Sequence, residues 1–125
     1  MPYGFDQAAW DQAKAEALDV LRGRASRRYG QTISYTDFVG SLSAIRIDPH
    51  DMRLSHFLEE IVVDEHRGGR PLLTVLVVHR HGDLMPGDGF FEIADQLGFN
   101  MDDREAFWVA EFNRVTDFWR GANRP

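Results

Sequence analysis

The sequence predicts a mainly helical α+β domain with five helices and one small β-hairpin. Three observations carry that expectation. Apolar residues recur at helical spacing in several segments, one run (PLLTVLVVH, 71–79) is rich in β-branched residues, and no linker or composition shift divides the chain. At 125 residues, 43% of them apolar and 12% aromatic, the chain reads as one domain over 1–125 with a core of its own.

The first helix is expected over residues 6–21, where Trp10, Ala13, Ala17, Leu18 and Leu21 form one apolar face and Gly23 supplies a stop. The following RASRRYGQ reads as an exposed basic loop. After an extended Thr32 and Ile33, Ser34 with Asp37 resembles a capping box and opens a second helix that buries Phe38, Val39 and Leu42. Gly40 weakens that helix by about 1 kcal/mol relative to alanine.

The third helix is expected to start with Asp48 as cap, Pro49 in the first position and Asp51 near the positive end. Leu54, Phe57, Leu58, Ile61 and Val62 give its buried side, and it should stop near His66, before Gly68 and Gly69. The 71–79 run is too short for a typical helix and should be a strand buried on both faces. His81, Gly82 and Asp83 read as a turn, and Leu84 with Met85 as the returning strand of a hairpin, or wing. A fourth helix is expected over 89–97, closed by Gly98. A fifth should span 102–119, capped by Asn100, with Asp102 and Asp103 in its first turn and Trp108, Phe112, Val115 and Trp119 as its buried stripe.

Composition removes several function classes. There is no cysteine, hence no disulfide, thiolate zinc site or cysteine nucleophile. No apolar run approaches the roughly 20 residues of a membrane span, and the first ten residues lack a secretory pattern, so a cytoplasmic protein without membrane contact is expected. The net charge of −6 speaks against a general nucleic-acid coat. The charges are unevenly spread: Arg22, Arg24, Arg27 and Arg28 lie together, while Asp and Glu collect at 59–65 and 102–105.

The order helix, short strand, helix, helix, hairpin, helix is that of a winged helix-turn-helix domain, with the third helix as the reading element. Within that class, YGQTISYTDFVGSL and the VVHR at 77–80 resemble stretches of the DNA-binding domain of O6-alkylguanine alkyltransferases and alkyltransferase-like proteins. The resemblance spans about residues 29–83 and implies a fold and DNA binding. Val78 falls at the reactive-cysteine position and Val77 replaces the motif's proline; a valine is no nucleophile, so alkyl transfer by that route is excluded. His79 and Arg80 match the motif's last two residues but have no thiol to activate, and the sequence past Gly82 departs from the family.

Three sets of residues are candidates for function. Arg46 and Arg53 at the third helix, with Arg24, Arg27 and Arg28 in the basic loop, form a nucleic-acid set in which arginine can pair with guanine or phosphate; ion pairing with Asp48 and Asp51 is the plain alternative. The acidic later turns of the third helix oppose it. His79, Arg80 and His81, serving as the wing, meet Gly87, Asp88 and Gly89 at the start of the fourth helix, where free amides can hold an anion. A capped turn with Asp88 on those amides is the alternative there, and neither a P-loop nor a dinucleotide glycine pattern is present. His50, His56, Glu59, Glu60, Asp64, Glu65 and His66 raise a metal site, but without HExxH a solvated acidic face accounts for them, and no metal or cofactor is expected. No nucleophile elbow or Ser-His-Asp order stands out.

The expected function is a non-enzymatic binding module that recognises nucleic acid. The alternatives are an acidic protein-interaction module of the toxin-neutralising or anti-defence kind, and a small anion binder or enzyme at the 79–89 junction. Phe107, Phe118 and Trp119 on the last helix offer a seam for a protein partner or a homodimer.

Overall fold

The computed structural model describes residues 1–122. Five α-helices are present among them: α1 (Gln7–Ala25), α2 (Tyr35–Gly40), α3 (Met52–Arg67), α4 (Asp88–Gln96) and α5 (Arg104–Ala122). Two strands of two residues each, β1 (Ile33–Ser34) and β2 (Val77–Val78), complete the architecture.

The buried segment 71–78 is the axis of the fold, and α1, α3 and α5 all pack on it. Its burial follows the sequence expectation; its conformation does not. Only Val77 and Val78 are strand, and Leu73–Leu76 is a 3-10 turn. A buried backbone needs partners for every N–H and C=O, and β1 is too short to supply them. Side chains of α5 do so instead. Glu111 accepts the Leu72 N–H at 2.7 Å, and the Trp108 indole donates to the Val75 carbonyl at 3.1 Å.

The expected hairpin is absent. β2 pairs in parallel with β1, Ile33 opposite Val77 and Ser34 opposite Val78. The returning leg cannot form a ladder. One bond, His79 N–H to the Met85 carbonyl at 2.9 Å, closes the loop, while Asp83 takes the Met85 N–H and Pro86 has none to give. Gly82 (φ 83°) and Leu84 (φ 56°) turn the chain through left-handed conformations that a strand does not contain. His79, Arg80 and His81 therefore lead into a closed loop rather than along a wing.

Element ends also shift. α1 runs past Gly23 to Ala25, so Arg24 is helical. Ser34 caps α2 as expected, accepting the Asp37 N–H at 3.1 Å. For α3 the cap is Asp51, not Asp48, whose carboxylate takes the His50 N–H of a preceding turn. Gly87 precedes α4 with no side-chain cap, so Asp88 does not fill that role. At α5, Asn100 accepts the Asp102 N–H, but Asp103 accepts the Ala106 N–H in the capping position.

α2 meets α3 through Phe38 and Phe57, whose rings lie 6.4 Å apart, and Trp10 of α1 meets Phe57 edge-on at 5.0 Å. The 41–51 segment between α2 and α3 is longer than the roughly three- or four-residue turn of a helix-turn-helix pair. Glu16 pins it to α1 by accepting the Ser43 and Ala44 N–H groups and the Ser43 hydroxyl.

The acidic stretch of α3 is solvated only in part, with Glu59, Glu60 and Asp64 at 40%, 39% and 55% side-chain exposure and Glu65 buried. Glu60 accepts from the Trp10 indole and from Lys14, Asp64 pairs with Lys14 at 2.9 Å, and Glu65 is 1% exposed between Arg22 and Arg70. These residues form the polar seam that docks α3 on α1.

Candidate binding cleft

A cleft of about 660 Å³ opens where the start of α2, the outer face of α3 and the start of α4 converge. That volume lies within the roughly 300–1,000 Å³ of small-molecule sites. The 79–81 loop forms its mouth, and all six residues of the sequence-derived set, His79, Arg80, His81, Gly87, Asp88 and Gly89, line it. The sequence did not name the other walls: Tyr35 from α2, Leu54, Leu58 and Val62 from α3, Thr74 from the axial segment, and Phe90 and Ile93 from α4.

Tyr35 organises one side. Its hydroxyl accepts the Gly87 N–H at 2.8 Å, and its ring lies 5.2 Å from that of His79. Burial pushes the Tyr35 phenol above its ordinary value, the Gly87 amide opposes this, and the nearby Asp83 charge adds to it, so the phenol stays protonated. Gly87 matters for space: a Cβ there would lie 3.4 Å from the Tyr35 hydroxyl and 3.5 Å from His79 Nε2.

Charge at the cleft follows a pattern. Asp51 is held by Arg53 at 2.6 Å, Asp88 by Arg104 at 2.9 Å, and Glu59 lies 4.0 Å from His56. The Arg53 side chain, joined by its backbone N–H, holds the Asp51 carboxyl down to about 2. The side chains of His50, His79, Arg80 and His81 are exposed and have no such partner among the described residues. Asp51 and Asp88 are neutralised by arginines, and the bases have no carboxylate partner among the described residues.

The arginine set disperses. Arg24 donates to the Gly30 and Thr32 carbonyls and so braces the turn after α1. Arg53, besides its grip on Asp51, donates to the Tyr3 carbonyl and lies 4.5 Å over the Phe5 ring. Arg27, Arg28 and Arg46 are exposed. Arg46 belongs to the segment pinned at Glu16, whereas Arg27 follows the far end of α1, roughly 15 Å along the helix axis.

The proposed seam on α5 is used internally. Phe107 packs against Phe90 and Phe99, and Trp119 lies under the Arg22 guanidinium at 4.6 Å. Phe118 (43% exposed) and Val109 (46%) remain outside, half a turn out of phase with each other. Among the described residues no three His, Asp or Glu side chains gather where a metal would bind, and no helix is long and apolar enough to cross a membrane. No family model, curated protein or solved structure matches the chain.

Proposed function

We propose that the chain is a non-enzymatic binding module that takes an anionic group of its ligand at the mouth of the α2–α3–α4 cleft. The observation that carries this reading is the pairing pattern there: Asp51 and Asp88 are held by arginines, while His79, Arg80 and His81 have no acceptor among the described residues. The start of α4 adds to it. Its first amides meet no side-chain cap, and a helix N-terminus favours negative charge.

Nucleic acid is one source of that anion, and the resemblance to a DNA-binding domain supports it. The two stretches that resemble the alkyltransferase DNA-binding domain lie side by side, Ser34 opposite Val78, in one unit that has no wing. Contact would then run through the cleft mouth rather than through Arg24 and Arg53, which brace their own chain. Val78 is buried and no nucleophile, so alkyl transfer by the cysteine route has no place in this reading. A free organic anion is the other source.

The test is fluorescence anisotropy of labelled single- and double-stranded oligonucleotides at low salt, with inorganic phosphate as competitor. Binding is expected to weaken as salt rises and to fall about tenfold in Arg80→Ala/His81→Ala. If neither oligonucleotide nor phosphate engages the protein, and no carboxylate does, the reading is wrong.

A further inference from the structure

Gly87 lines the cleft, yet its backbone does not call for glycine: φ −71° and ψ 172° are open to any residue. What a side chain would meet there is more telling. A Cβ would lie 3.4 Å from the Tyr35 hydroxyl oxygen, 3.5 Å from His79 Nε2 and 3.7 Å from His79 Cε1. The absent methyl therefore leaves a notch one atom wide, bordered by hydrogen-bonding atoms from two separate parts of the chain. Gly87 and Tyr35 are half-buried and His79 is exposed, so none of the three is closed to solvent.

Both bordering atoms have a proton to give. The Tyr35 oxygen accepts the Gly87 N–H at 2.8 Å, while its own O–H has no acceptor among the described residues. Burial raises the phenol above its ordinary value, so it keeps that proton. The only hydrogen bond His79 makes among the described residues is from its backbone N–H to the Met85 carbonyl. Its Nε2 carries a proton in the charged ring and in one neutral tautomer. Asp83, the carboxylate whose charge Tyr35 feels, is engaged by the Met85 N–H at 3.0 Å.

We infer that the notch seats one terminal oxygen of a carboxylate or phosphate, held by the Tyr35 O–H and by His79 Nε2–H, while Arg80, next in the chain, supplies a fixed charge. An oxygen, smaller than a methyl, can settle at hydrogen-bonding distance from both donors. The inference rests on the cleft mouth being the anion site proposed above, and it adds Tyr35 as a residue that reads the oxygen.

Isothermal titration of the full chain with inorganic phosphate, acetate and a single-stranded oligonucleotide tests it. In Gly87→Ala the methyl fits at ordinary contact distances and fills the notch. Every probe that binds the wild type is expected to bind this variant about tenfold more weakly. Its melting temperature should hold or rise, as for any glycine replaced by alanine at a compatible backbone. Gly23→Ala in α1, where a Cβ meets no atom within 4 Å, controls for that gain and should bind as the wild type does. His79→Gln keeps a side-chain N–H donor and should retain affinity that His79→Leu loses. Tyr35→Phe also strips the Gly87 amide of its partner, so Gly87 and His79 carry the test. A Gly87→Ala variant that binds as tightly as the wild type overturns the inference, and so does an equal loss in His79→Gln and His79→Leu. If Gly87→Ala lowers the melting temperature, the His79 pair decides alone. After either overturning result, a loss in Arg80→Ala/His81→Ala leaves the anion reading of the cleft mouth standing. Should no probe bind the wild type, both fall.

Discussion

The Tyr35 hydroxyl accepts the Gly87 N–H at 2.8 Å, and this single bond joins the first turn of α2 to the residue that opens α4. It couples fold and cleft, because both residues line the cavity. Tyr35→Phe leaves the Gly87 amide without that partner. A loss of about 1 kcal/mol in urea denaturation is expected, together with weaker anion binding as the start of α4 loosens.

Arg53 separates two accounts of the positive charge. If it touched nucleic acid directly, losing it would be irreparable. Here it neutralises Asp51 in the cleft wall. Arg53→Ala should therefore weaken anion binding about three- to fivefold by baring a carboxylate, and Arg53→Ala/Asp51→Asn should restore it. Anisotropy or calorimetry on the two variants decides.

Glu65 is buried between Arg22 and Arg70, at 3.5 and 3.0 Å. Glu65→Ala strands two cations at the α1–α3 seam. The expected destabilisation is about 2 kcal/mol, below the roughly 3–5 kcal/mol of a fully enclosed pair, because both arginines can turn partly to water. Chemical denaturation measures it, and the cleft ligand should bind the variant unchanged.

Two carboxylates set the acid limit. Arg53 holds Asp51 down to about 2 from an ordinary 3.8, and the Ser43 hydroxyl with the Ala44 amide holds Glu16 below its ordinary 4.5. Depressed values in the folded state mean stability that is complete above the ordinary values and is lost as pH falls through the depressed ones. Unfolding free energy should decline from about pH 4.5 towards pH 2, and the slope should flatten in Glu16→Gln/Asp51→Asn.

What the sequence made legible was local. Ser34 caps α2 because the signal lies within four residues, and the periodicity of α3 places Leu54, Phe57, Ile61 and Val62 inside. The burial of 71–78 could be read from its composition, but not its conformation, since its backbone partners Glu111 and Trp108 come from the far end of the chain. Within the cleft, the 79–81 and 87–89 clusters stood out by residue type. Tyr35 did not, because its partner Gly87 is remote in sequence. The arginines misled because sequence counts charges and does not show which are already engaged by Asp51 or by the Gly30 and Thr32 carbonyls.

The parallel pairing of Val77 and Val78 with Ile33 and Ser34 leaves the exposed 80–84 loop outside the core. New chain ends at Gly82 would sever none of the packing among α1, α3, α5 and the axial turn. Fragments 1–82 and 83–125 should accordingly reassemble when mixed. Since Tyr35 and Thr74 belong to one piece and Phe90 and Ile93 to the other, an occupant of the cleft would drive their complementation, and the split protein would serve as a reporter for its own ligand.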